Sequence, residues 1–134
     1  MEIIYGLDEL EQVAARLIAD TENNILLFIG EMGVGKTTLI KEIVKQLGSN
    51  DRVSSPTFSL VNEYITSSGP IYHFDFYRIE NEEEAYDIGF EEYVYSPFWK
   101  LIEWPQKIQH LLPTEHTQID FSVLSNGKRK ILIG

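Results

Sequence analysis

The sequence predicts an α/β fold in one domain: three layers, with helices around a mixed sheet that includes antiparallel hairpins. Three observations carry that prediction. The buried run "NILLFIG" (Asn24–Gly30) enters a glycine-rich loop and leaves it as an amphipathic helical pattern from about Lys36 to Leu47. Two strand-like runs, "TFSLVNEYIT" and "IYHFDFY", are joined by the turn-rich Ser67–Pro70. Near the end, "TQIDFSVL" and "RKILIG" flank Ser125–Lys128, where Asn126-Gly127 signals a tight turn.

Taken in order, Asp8 with Glu11 reads as a capping box, opening a helix in which Leu10, Val13, Ala14, Leu17 and Ile18 share one face. Gly48 is placed to end the second helix in a left-handed conformation. Alternation in "IYHFDFY" sends Tyr72, Phe74 and Phe76 to one side of the sheet and His73, Asp75 and Tyr77 to the other. Asn81 caps a short helix in "NEEEAYDIGF" that stops near Gly89. "KLIEW" (Lys100–Trp104) is a short buried strand, and Pro105 suits the first turn of a helix through Leu112. No repeat, low-complexity tract or linker divides the chain.

Composition narrows the function. The 134 residues suit one domain, which buries roughly two-thirds of its unfolded surface. Without cysteine there are no disulfides, thiolate metal sites or cysteine nucleophiles. Acids stand where a signal peptide would carry bases, and the longest aliphatic or aromatic run, Ile25–Ile29, is too short to span a bilayer. The expectation is a soluble, cytoplasmic protein with no membrane partner. A net charge of −10 repels phosphate backbones, so contact with nucleic acid is expected only through a basic partner. The one basic cluster, Lys128–Lys130, reads as a solubilising hairpin tip.

Gly30, Gly35, Lys36 and Thr37 satisfy G-x-x-x-x-G-K-[ST]. Glycines let backbone N–H groups converge on phosphate oxygens, and a helix starting at Lys36 aims its positive end at the same anion. Expected contacts are Glu31, Met32, Gly33, Val34, Gly35, Lys36, Thr37 and Thr38, with Lys36 on the β- and γ-phosphates and the Thr37 hydroxyl on magnesium. Two strand-end carboxylates, Asp75 and Glu103, are candidates for handling that metal; each taken alone also reads as a solvated strand end. His73 reads as a hydrogen-bonded structural histidine rather than a proton carrier, Trp104 as core or lid packing rather than an adenine platform. His110 and His116 are too scattered for a metal site.

Blocks that follow one another in order, "GEMGVGKTT", "SPTFSLVNEY", "YHFDFYR", "GFEEY" and "IEWP", resemble the TsaE (YjeE) family of bacterial tRNA threonylcarbamoyladenosine biosynthesis from Gly30 to Pro105. The resemblance implies a small P-loop NTPase-like fold that binds ATP with magnesium and hydrolyses it to ADP. Thr37 and Glu103 match magnesium-binding positions, and Lys36 with its loop matches the phosphate contacts. Asp75 matches an acid that orients the attacking water, and Thr57 a switch-like segment beside the γ-phosphate. Glu31, Ser59 and Ile79 depart mildly from the family pattern. The implied partner is a TsaB–TsaD pair that modifies tRNA, with ATP turnover by this protein permitting repeated cycles.

A small-molecule kinase of the P-loop class is the main rival. It requires several arginines to neutralise a transferring phosphoryl group, and only Arg16, Arg52, Arg78 and Arg129 exist, of which Arg78 is expected nearest the site. A GTP switch lacks N-K-x-D and D-x-x-G stretches. The adenine pocket is expected between the segment before the first helix and the final hairpin.

Overall fold

In the computed structural model, which describes residues 1–56 and 59–134, seven strands form one continuous sheet. The elements are β1 (Glu2–Tyr5), α1 (Leu10–Asp20), β2 (Ile25–Ile29), α2 (Lys36–Gln46), β3 (Val61–Thr66), β4 (Gly69–Asp75), α3 (Glu82–Asp87), α4 (Phe90–Val94), β5 (Trp99–Glu103), β6 (Thr117–Val123) and β7 (Arg129–Ile133). Their order across the sheet is β1-β7-β6-β2-β5-β4-β3. The central four, β6, β2, β5 and β4, run parallel; β3 pairs antiparallel with β4 at one edge, and at the other β7 pairs antiparallel with β6 and β1 antiparallel with β7. The mixed sheet and both hairpins are therefore as the sequence predicts.

Period-two alternation splits the core between two faces. Leu26 and Phe28 of β2 pack with Leu101, Ile119 and Ile131 beneath Val13, Ala14 and Leu17 of α1 and Leu39, Ile40 and Ile43 of α2. Ile25 and Leu27 face the opposite way, with Phe74 and Ile102, against Ala85 of α3, Phe90 and Val94 of α4, and Ile108. Phe74, Phe76 and Phe90 meet at centroid distances of 5.1 to 5.6 Å, and burying each ring stabilises the layer by about 2 kcal/mol.

Local boundaries differ from expectation in four places. The box proposed for Asp8 and Glu11 is displaced: Glu9 accepts the Gly6 N–H at 3.1 Å, and a 3-10 turn over Leu7–Glu9 leads into α1. The cause is β1, a strand the sequence reading omitted, which pairs with β7 and delivers the chain to the helix through Gly6. β3 starts only at Val61, because Leu60 turns left-handed (φ 64°) and gives its carbonyl to the Asp75 N–H. Pro105–Leu111 is 3-10 rather than α, broken at Ile108 (φ −134°), whose side chain is drawn fully into the core. Among the described residues no helix is long and apolar enough to cross a membrane.

One buried charge sets a pH dependence. Lys100 on β5 is fully buried, donating to the Ser96 carbonyl, and burial pushes its pKa down to about 8. The unfolded chain, with an ordinary lysine near 10.4, then holds more protons than the folded one between those values, so stability must rise with pH there. Below pH 8 both states are protonated and the burial cost is complete. Urea unfolding from pH 7 to 9.5 should show a gain of at most about 2 kcal/mol, and Lys100→Met should flatten it. Above pH 10 the trend reverses, because burial raises Tyr5 and Tyr64 and the unfolded chain ionises first.

Candidate functional site

The parallel strands end at a cleft of about 350 Å³ along their carboxyl edge, the usual location for ligands in open α/β sheets. β2 runs into Gly30, where a Cβ would stand 3.0 Å from side-chain atoms of Phe121 and Val34, so any larger residue would have to push these neighbours aside as the loop leaves the sheet. Gly35 adopts a left-handed φ of 106° before α2 begins, and its carbonyl accepts the Leu39 N–H. The unpaired amides of the first turn of α2 therefore open onto the cleft.

Lys36 is buried, donates from Nζ to the Gly30 carbonyl at 2.5 Å, and lies 4.4 Å from the centroid of the Trp104 ring. Burial lowers its pKa, while the charges of Glu103 and Asp75 pull it back up. Trp104 holds its place through a left-handed backbone (φ 58°), uncommon for a bulky residue and more so before proline, and it packs on Tyr77 at 4.9 Å. Trp104 thus packs between Lys36 and Tyr77 while also lining the cleft.

Asp75 and Glu103 are register partners at the ends of β4 and β5. Asp75 accepts the Tyr77 N–H at 3.0 Å; burial raises its pKa, the Tyr77 hydrogen bond opposes this, and the Glu103 charge adds to it. Glu103 is buried, and its Oε2 meets His73 Nε2 at 2.7 Å. His73 in turn meets the Tyr64 hydroxyl through Nδ1 at 2.9 Å, and that hydroxyl donates to the Ser54 carbonyl at 3.0 Å. The fully buried His73 is thus hydrogen-bonded at both nitrogens, as its structural reading requires. Ser55 Oγ lies 3.4 Å from Thr37 Oγ1.

Met32, Gly33, Gly35, Lys36, Thr37, Thr38, Asp75 and Glu103 all line this one cleft. Of the other expected contacts, Val34 turns its side chain into the core, and Glu31 is exposed outside the lining. Thr57 lies outside the described residues. Among the described residues no trio of histidine, aspartate or glutamate side chains is grouped to hold a metal alone. His110 pairs with Glu82 instead.

Two placements correct the sequence reading. Arg78 is exposed and absent from the cleft, whereas Arg129, assigned to a solubilising tip, lines it. Arg129 donates from Nε to the Val34 carbonyl at 2.8 Å. The apolar end of the cleft is built by Tyr5, Leu7 and Leu10.

Comparison with known proteins decides the family. The family described as "Threonylcarbamoyl adenosine biosynthesis protein TsaE" matches residues 5–131. The chain belongs to the TsaE family. A TsaE protein of Rickettsia bellii is 44% identical over 129 residues, spanning 95% of this chain and 89% of the relative. The Bacillus subtilis protein of the same description is 38% identical over 108 residues, 81% of this chain and 67% of its own. The crystal structure of Bacillus subtilis YdiB superposes with a TM-score of 0.74 at 27% identity, covering 98% of this chain and 83% of the other. The TsaE resemblance read from the motif blocks is borne out, and with it the α/β fold and a place in tRNA threonylcarbamoyladenosine biosynthesis.

Some residues of this TsaE site had no role assigned from the sequence. Tyr64 looks like an ordinary strand tyrosine until the hairpin register sets it near His73, its ring 5.9 Å from the imidazole. Tyr5 and Arg129 meet at the cleft only because β1 pairs with β7, with Tyr5 directly opposite Arg129.

Proposed function

We propose that this TsaE protein binds ATP with magnesium in the cleft and hydrolyses it to ADP. Turnover then cycles a TsaB–TsaD-type pair through successive modifications of cytoplasmic tRNA, which this protein reaches only through that pair. The observation that carries the reading is convergence: Lys36, the Thr37 hydroxyl and the Asp75 and Glu103 carboxylates border one cleft at the N-terminus of α2.

The donor set fits magnesium, which favours hard oxygen ligands and completes its shell from phosphates and water. His73 engages Oε2 of Glu103, and among the described residues no donor reaches Oε1. Glu103 and the Thr37 hydroxyl would hold the ion, whose chemistry is neutralisation of phosphate charge. Lys36 binds phosphate by leaving the Gly30 carbonyl, and Trp104 limits the water around its ammonium. Asp75, a stronger base than an exposed carboxylate because burial raises its pKa, accepts a hydrogen bond from water and orients it. Tyr5, Leu7 and Leu10 offer the base an apolar bed. The cleft's one arginine among the described residues is already bonded to backbone carbonyls, which disfavours a metabolite kinase.

Titration calorimetry with ATP, ADP and GTP, with and without magnesium, tests the binding step. Magnesium-dependent binding that prefers adenine is expected; absence of heat from a folded protein overturns the reading. In a tRNA-modification assay with a TsaB–TsaD pair, several turnovers should require this protein and hydrolysable ATP. A single round that continues unaided would remove the cycling role.

A further inference from the structure

The guanidinium of Arg129 joins two distant parts of the chain. Nε donates to the Val34 carbonyl at 2.8 Å, and Nη1 donates to the Gly127 carbonyl at 2.7 Å. The first bond ends inside the glycine-rich loop; the second ends in the β6–β7 turn. A Cβ on Gly35 would stand 3.4 Å from Arg129 Nε and 3.9 Å from its Cγ and Cδ, so the arginine stem lies flat along the loop. Tyr5 sits close enough that the Arg129 charge opposes the rise that burial imposes on the phenol.

Peptide planarity turns that contact into a constraint. In a trans peptide the carbonyl oxygen and the following N–H point to opposite sides, and no cis bond occurs among the described residues. Fixing the Val34 oxygen against Arg129 therefore turns the Gly35 N–H the other way. Among the described residues nothing accepts a hydrogen bond from the N–H groups of Gly33, Val34 or Gly35. Without an anchor, a loop whose glycines at 33 and 35 have positive φ has many alternatives open to it.

We propose that Arg129 is a positioning residue: β7 uses it to hold the Val34–Gly35 peptide so that loop amides converge on a phosphate common to nucleoside di- and triphosphates. The proposal rests on the polyphosphate reading above. A positioning role differs in consequence from direct charge stabilisation of a departing γ-phosphate. Misaimed amides weaken ADP and ATP alike, whereas a lost γ-phosphate contact lowers kcat alone.

Arg129→Met keeps the stem and removes the donors; Arg129→Lys keeps the charge and removes Nε. Both are expected to bind ADP and ATP more weakly by one shared factor, about 10- to 100-fold, with kcat at saturation unchanged. Lys128→Ala, exposed on the same turn, should bind as the parent does. Without nucleotide, the Gly33 and Gly35 amides should exchange faster in both Arg129 variants while Tm holds within a few degrees. Full rescue by Arg129→Lys, a defect confined to kcat, or a lower Tm with unaltered affinity and amide exchange would each overturn the proposal. If the parent itself binds no nucleotide, the functional reading fails, and the amide-exchange arm still decides whether Arg129 orders the loop.

Discussion

Lys36→Ala is expected to weaken ATP binding or abolish turnover by on the order of 100- to 1000-fold, the largest effect of any single change in the cleft. Lys36 is the buried cation between the loop and the two carboxylates, and among the described residues no other lysine lines the cleft. Folding should change little: burial already disfavours the ammonium, and alanine removes that penalty together with the bond to Gly30. The carboxylates carry a second readout. Lys36 holds the Asp75 pKa down against burial and Glu103, so the substitution should raise Asp75 further, measurable by carboxyl NMR titration. Near-parental affinity and turnover in Lys36→Ala would separate this loop from phosphate binding altogether.

Glu103→Gln is expected to lose the magnesium-dependent part of nucleotide affinity and to slow turnover by at least about 100-fold, while metal-free binding survives. The amide keeps the shape of the side chain and still offers an oxygen to His73 Nε2, so the chain through Tyr64 to Ser54 need not collapse. Only the negative charge is removed. Equal loss with and without magnesium, measured by calorimetry, would remove Glu103 from the metal site. Glu103→Ala is the harsher comparison, because it leaves a buried imidazole nitrogen without its acceptor, at a cost of about 1–3 kcal/mol.

The legible part of this site was the part written in local chemistry. Gly30 through Thr37 announces itself because loop, strand and helix are contiguous. Asp75 and Glu103 show at the ends of apolar runs, since strand ends are where side chains leave the core. What the sequence withheld depends on which strand lies beside which. Arg129 follows a tight turn, and nothing local distinguishes a solvated tip from a clamp on residue 34; the difference lies in β6 pairing with β2. β1 escaped notice because four residues with one buried side chain give no reliable period. The late start of β3 hinges on Leu60, whose left-handed turn no propensity favours. Arginine poverty argued against a kinase but pointed to Arg78, which the cleft leaves out, rather than to Arg129, which lines it.

The line from Ser54 through Tyr64 and His73 to Glu103 has a mechanical corollary. Each joint is a hydrogen bond with at least one largely enclosed partner, so displacing either end strands a polar atom at the next. The stretch that sets Ser55 against Thr37 and the acid at the tip of β5 behave, in effect, as opposite ends of a single rigid strut. Whatever tugs on one is felt by the other, across the full width of β4.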